Sequence, residues 1–66
     1  MTANKFIAEC MAKLRLNPHL RMGQLLMNEL HSHSTGLYGV VPHAIDPFYD
    51  DTKVPVFCEW LEANWK

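Results

Sequence analysis

The stretch NPHLRMGQLLMNEL, residues 17–30, decides the fold because it carries the strongest helical signal in the chain. Asn17 is a favourable N-cap, and Pro18 suits the first helical position, where its missing N–H costs nothing. The apolar residues that share one face of this helix are Leu20, Leu26, Met27 and Leu30. We therefore predict a helix over residues 18–33, which ends where the sequence becomes HSHSTG.

A glycine interrupts this apolar face, one turn after Leu20. Glycine inside a helix costs about 1 kcal/mol relative to alanine, so its presence calls for a compensating contact. Close approach of another helix is the simplest compensation. We therefore predict that Gly23 is a packing contact, with the preceding helix as the candidate partner.

The first helix of the chain is predicted over residues 3–16, so the helix over residues 18–33 is the second in chain order. Phe6, Cys10 and Leu14 recur at four-residue steps and form its core-facing stripe. Either Thr2 or Asn4 is placed to cap it. The helix ends before Asn17, because the residue before a proline is disfavoured in the α region.

The C-terminal part of the chain predicts a third helix, over residues 52–65, with Pro55 in the first turn, where backbone N–H groups lack intrahelical partners. Residues 36–51 hold too many apolar side chains for a solvated loop, so we expect this segment to lie across the helices with its apolar side chains tucked inward. The sequence thus predicts a single all-α domain over residues 1–66, with three short helices and an ordered apolar loop between the second and third.

Composition limits the classes of function. The chain has 66 residues, 48% of them hydrophobic, and a formal net charge of −1. A domain this small buries only about 60% of its unfolded surface, which favours help from a partner or from self-association. The charge gives no long-range attraction for nucleic acid. No apolar run exceeds three residues, so we expect no membrane span. The two cysteines fit a reducing cytoplasm.

Two motifs, at residues 20–28 and 46–51, resemble a pattern found in small uncharacterised proteins of bacteria, phages and prophages. That pattern reads LRxGQLxxN, followed by DxFY with an acidic residue after it. The matching residues are Leu20, Arg21, Gly23, Gln24, Leu25, Asn28, Asp46, Phe48, Tyr49 and Asp51. The resemblance covers roughly residues 17–62 and departs from the pattern at residues 52–55, where more acidic and leucine-rich residues are usual. It implies a phage or prophage origin and a shared fold, and it carries no established activity.

The polar residues of these motifs allow two interpretations. Arg21, Gln24 and Asn28 form one polar row on the second helix, at positions i, i+3 and i+7. If the loop folds back, Asp46 and one of the aspartates at 50 and 51 are placed to accept hydrogen bonds from Arg21. The motif then locks helix to loop, with Phe48 and Tyr49 beside Gly23. Alternatively, the polar row and Tyr49 line a small recognition site.

Histidines and cysteines provide the other reactive groups. His31, His33 and His43 raise a metal-binding hypothesis, but an i,i+2 pair on a helix points to different sides, and no zinc-ligand framework is present. Cys10 and Cys58 fall on predicted apolar stripes, which indicates buried thiols. The sequence contains no phosphate-binding loop, nucleophile motif or cofactor fingerprint. We therefore predict a protein that is not an enzyme and needs no cofactor.

Aromatic residues of the third helix favour protein interaction. Val56 and Trp60 lie on a second face of this helix, and Trp65 follows near its end. Tryptophans are frequent interface anchors. The leading prediction is a cytoplasmic accessory protein of phage or prophage type that binds itself, as a homodimer, or a host protein. The alternative is a small DNA-binding regulator whose second helix reads bases through Arg21, Gln24 and Asn28, with a histidine-loop metal protein third.

Overall fold

The computed structural model describes residues 1–65 and is all-α, which confirms the predicted fold class. Its α-helices are α1 (Ala3–Leu16), α2 (Met22–His33), α3 (Thr35–Gly39) and α4 (Val54–Asn64). Two 3₁₀ turns, His43–Ile45 and Asp51–Lys53, lie between α3 and α4. No strand occurs among the described residues, and none of the helices is long and apolar enough to cross a membrane.

Helix α1 has the predicted bounds, and local hydrogen bonds explain both ends. Of the two candidate caps, Thr2 is the one used: its Oγ1 accepts from the Lys5 backbone N–H at 3.1 Å. At the other end the Asn17 backbone N–H donates to the Lys13 and Leu14 carbonyls, and its side-chain amide also donates to Lys13 at 3.0 Å. Asn17 is therefore the C-cap of α1.

Helix α2 begins at Met22, so the predicted start at residue 18 is wrong. Asn17 is already occupied in closing α1, and Pro18 to Leu20 form a turn in which the Leu20 N–H donates to the Asn17 carbonyl at 3.0 Å. Arg21 occupies the N-cap position and makes no capping bond with its side chain. The favourable Asn-Pro signal thus serves a turn between two helices.

The segment between α2 and α4 is ordered, but it is more helical than predicted. Ser34 closes α2 through its backbone N–H and caps α3 by accepting from the Leu37 N–H at 3.2 Å. Leu37, Val41 and Phe48 pack against the core as expected. The expectation that all the apolar residues here are tucked inward is wrong, since Tyr38, Val40 and Tyr49 are exposed.

One core joins α1, α2 and α4. Its fully buried centre consists of Leu26 and Leu30 from α2 with Phe57 and Leu61 from α4, each with no exposed surface. The other buried apolar residues are Ala3, Phe6, Ile7, Cys10, Leu25 and Met27. The 3₁₀ turn just before α4 contacts α2, and its Asp51 reaches the start of that helix.

Candidate functional site

The segment 46–51 folds back onto the first turn of α2. The Arg21 guanidinium donates to the Phe48 carbonyl oxygen at 2.7 Å, and the Gly23 backbone N–H donates to Asp51 Oδ1 at 3.0 Å. Within the segment, Asp46 Oδ1 accepts from the Phe48 N–H at 2.9 Å. We call this arrangement, made by residues 21–23 and 46–51, the helix–loop lock. It holds together residues that are 27 and 28 positions apart in the chain.

Gly23 is the point of closest approach in the lock. A Cβ at this position would overlap the Pro47 carbonyl group and lie 2.9 Å from Asp51 Oδ1. Pro47 is itself buried. Gly23 is thus a packing contact as predicted, but its partner is the loop backbone and not the preceding helix. The glycine is needed because a rigid backbone fills the space that a side chain would occupy.

Asp51 caps α2 from a distance. The first backbone N–H groups of a helix lack intrahelical partners, and an N-cap side chain normally accepts from one of them. Arg21 makes no such bond, and the Asp51 carboxylate takes that role at the Gly23 N–H. Its negative charge also lies at the positive end of the helix dipole. The start of α2 therefore depends on Asp51, a residue of the later loop.

Replacing Asp51 with alanine is expected to lower the free energy of unfolding by about 1 kcal/mol, the usual cost of removing a helix cap. Asp51→Asn retains the acceptor oxygen and should lose only about half as much, because only the interaction of the charge with the dipole disappears. Urea unfolding monitored by circular dichroism measures both values. An alanine variant as stable as the wild type would show that the carboxylate does not cap α2.

The other predicted members of the polar motif are placed unequally. Arg21 bonds a carbonyl, so the prediction that it pairs with an aspartate is wrong, and no described carboxylate lies within ion-pair distance of it. Gln24 is half-buried and Asn28 is exposed, and neither side chain makes a hydrogen bond with a described residue. The polar row therefore does not act as one unit in the lock.

Aromatic side chains stand on the outer side of the lock. Tyr49 is 85% exposed and contacts Phe48 edge to face, with 4.7 Å between ring centroids. Beside them is a small pocket of about 200 Å³, lined by Met27, Tyr38, Asp46, Phe48 and Tyr49, which we call the Tyr49 pocket. Asp46, Phe48 and Tyr49 belong to the sequence motif. Tyr38 reaches the pocket from helix α3, which was not predicted.

The predicted interaction residues of the last helix are not all on one open face. Val56 is 43% exposed, while Trp60 is half-buried and stacks near Phe57. Trp65 stacks on His33 at 5.2 Å between centroids and donates from its indole Nε1 to the Met1 carbonyl at 2.9 Å. Trp65 thus joins the end of α4 to the residues before α1, and it also lines a cleft of about 420 Å³.

The histidines do not converge on a metal-binding geometry. Within residues 1–65 no group of three or more His, Cys, Asp or Glu side chains is placed to hold a metal ion. His33 instead stacks on Trp65, and His31 contacts the ring of Tyr38 edge to face at 4.7 Å. The arrangement of the described residues therefore does not favour the metal hypothesis.

The two thiols have different environments. Burial, with a smaller contribution from Glu29, raises the pKa of Cys10 to about 11. Burial also raises the pKa of Cys58, which is only half-buried. The thiolate is the nucleophile, so both groups are poor nucleophiles near neutral pH.

In native protein, Cys10 should react with a maleimide at least about 100-fold more slowly than in urea-unfolded protein, because its reaction requires unfolding of the core. The variant Cys58→Ala leaves Cys10 as the single thiol, and mass spectrometry follows its modification. The matched variant Cys10→Ala reports Cys58, which should react faster in the folded state. Rapid native labelling of Cys10 would contradict its burial.

Comparisons with protein-family models, curated proteins and solved structures found no match to this chain.

Proposed function

We propose that this protein is a non-enzymatic binding domain that engages a partner protein through Tyr49 and the pocket beside it. The observation that carries the proposal is an aromatic ring, 85% exposed, on a backbone segment fixed from both sides by the lock. Large aromatic side chains are frequent hot spots of protein interfaces. A ring on an ordered segment also loses less conformational freedom on binding than a ring on a flexible loop.

The motif residues support this assignment of roles. Arg21, Gly23 and Asp51 make the contacts that fix the loop on α2. Asp46 fixes the loop internally, by accepting from the Phe48 N–H. Tyr49 belongs to the same motif, yet its ring is left in solvent with only Phe48 against it in the described aromatic contacts. Stability gains little from such an exposed ring, and binding is the simpler reason for it. The resemblance of the motif to phage and prophage proteins supports a cytoplasmic accessory role.

The same geometry disfavours DNA reading by α2. Arg21, the cation best placed to contact a base or phosphate, is bonded to the loop carbonyl of Phe48. Asp51 brings a negative charge to the end of α2 that a phosphate would approach. The start of α2 is also covered by the loop. We therefore favour a protein partner over nucleic acid.

Selection of a displayed random-peptide library on the immobilised protein tests the proposal. Tyr49→Ala should lower the affinity of the protein for the recovered peptides by at least about 30-fold, the effect of losing a hot-spot side chain. Leu16→Ala is the matched control, because Leu16 is 82% exposed at the end of α1 and does not line the Tyr49 pocket. Recovered peptides that bind wild type and Tyr49→Ala equally well would contradict the proposed surface.

Sedimentation velocity of the purified protein distinguishes a separate partner protein from a second copy of this chain. A monomer at micromolar concentration supports a separate partner protein. A dimer that Tyr49→Ala dissociates would identify a second copy of this chain as the occupant of the same surface. A dimer that survives Tyr49→Ala but is lost in Trp60→Ala would move the interface to α4, the face first predicted from the sequence.

A further inference from the structure

We propose that the Tyr49 pocket binds a cationic side chain, with arginine preferred over lysine, in a basic segment of the partner. This inference rests on the proposed protein-binding function and names the chemistry of the group that is bound. It is carried by a carboxylate, Asp46, that lies among three aromatic side chains and has no cationic partner within the described part of the chain.

The walls of the pocket suit a flat cation. Its volume is about 200 Å³, and Tyr38, Phe48 and Tyr49 supply the aromatic side chains, with the Met27 side chain beside them. Aromatic faces attract cations through their quadrupole, and arginine stacks on them with its planar guanidinium. An anionic occupant would meet the carboxylate of Asp46 without a compensating cation. The pocket is therefore selective for positive charge.

Asp46 has one oxygen in use and one that remains accessible. Its Oδ1 accepts from the Phe48 N–H at 2.9 Å, which fixes the direction of the carboxylate. No described residue donates to Oδ2. Among the described residues, every side-chain oxygen that is fully enclosed has a hydrogen-bond partner, so Oδ2, which has none, must reach solvent. A half-buried carboxylate with a fixed direction and a free oxygen is a suitable acceptor for a guanidinium.

The neighbouring charges act in the same direction. Segment 46–51 contains three aspartates and no cationic residue. The nearest cation of the lock, Arg21, is held by the Phe48 carbonyl, and no ion pair joins it to Asp46. Lys53 follows the segment, in the 3₁₀ turn that leads into α4. The three aspartates of the segment outnumber these two cations, so the local charge is negative and complements a basic segment.

The test uses two small probes that differ in charge and not in shape. N-acetyl-arginine N-methylamide and its citrulline counterpart are titrated into ¹⁵N-labelled protein, and backbone amide shifts are recorded. The arginine probe should shift the amides of Tyr38, Asp46 and Tyr49, and citrulline should bind about tenfold more weakly because it lacks the cation.

Asp46→Asn should reduce binding of the arginine probe by about tenfold, while its amide oxygen can still accept from the Phe48 N–H. Asp50→Asn is the matched control and should bind the probe as the wild type does, because the Asp50 side chain accepts from Thr52 and does not line the pocket. An unchanged spectrum, equal binding of the two probes, or undiminished binding by Asp46→Asn would each overturn the cation assignment.

The outcomes separate this inference from the proposed function. Selected peptides that depend on Tyr49 but tolerate replacement of every arginine by citrulline would keep the protein-binding role and remove the cation pocket. If the arginine probe binds at Asp46 and selected peptides ignore Tyr49, the pocket stands and the proposed binding function falls.

Discussion

Replacing Gly23 with alanine is expected to destabilise the protein by about 3 kcal/mol, at the upper end of the usual cost of overpacking a filled interior. The added Cβ would overlap the carbonyl of Pro47, which is backbone and cannot rotate away as a flexible side chain would. The loop must therefore shift, and the hydrogen bond from Gly23 to Asp51 is strained or lost with it. The gain in helix propensity, about 1 kcal/mol, is too small to offset this cost.

Gly36→Ala provides the matched control. Gly36 also lies in a helix, but nothing stands within 4 Å of a Cβ built there. This substitution should stabilise the protein by about 0.5 kcal/mol, because alanine restricts the unfolded chain. Urea denaturation of both variants gives the comparison. Equal stability of the two alanine variants would show that the loop does not press against Gly23.

Replacing Phe57 with alanine is expected to cost about 4 kcal/mol, because a large buried ring is removed and a cavity remains. Phe57 has no exposed surface and lies at the centre of the core with Leu26, Leu30 and Leu61. The whole stability of a domain this size is only about 3–10 kcal/mol. The melting temperature of the variant, measured by circular dichroism, should therefore fall by at least about 15 °C.

Val56→Ala is the neighbouring control for this experiment. Val56 precedes Phe57 on the same helix and is 43% exposed, so its truncation should change the free energy of unfolding by less than about 1 kcal/mol. Val56 was predicted as an interaction residue, so a small loss of stability in Val56→Ala would leave this variant usable in binding experiments. Comparable losses for both variants would place the core on a different face of α4.

Local signals predicted the fold class and much of the core. Thr2 and Asn17 bond to residues at most four positions away, and the Thr2 cap and the Asn17–Pro18 junction predicted both ends of α1 correctly. The start of α2 was wrong because it depends on Asp51, 28 positions away from the amide that it caps. A favourable N-cap residue, Asn17, was meanwhile used by the helix before it. Sequence-local capping rules cannot weigh such a distant partner.

Helix α3 was missed although a local signal was present. Ser34 is a good N-cap, and its Oγ accepts from the Leu37 N–H, but two glycines in the next five residues made a loop the simpler expectation. This short helix brings Tyr38 to the pocket beside Tyr49. The motif residues of the candidate site were therefore found from the sequence, whereas the shape of the pocket required the structure.

The central claim is that the helix–loop lock presents Tyr49 on an ordered backbone. Measurement of ¹⁵N relaxation order parameters tests it most directly. We predict a Tyr49 order parameter near 0.85 in the wild type, the value of a rigid backbone, and a lower value in Asp51→Ala. An order parameter below about 0.6 for Tyr49 in the wild type would contradict the account, because that value marks a flexible segment.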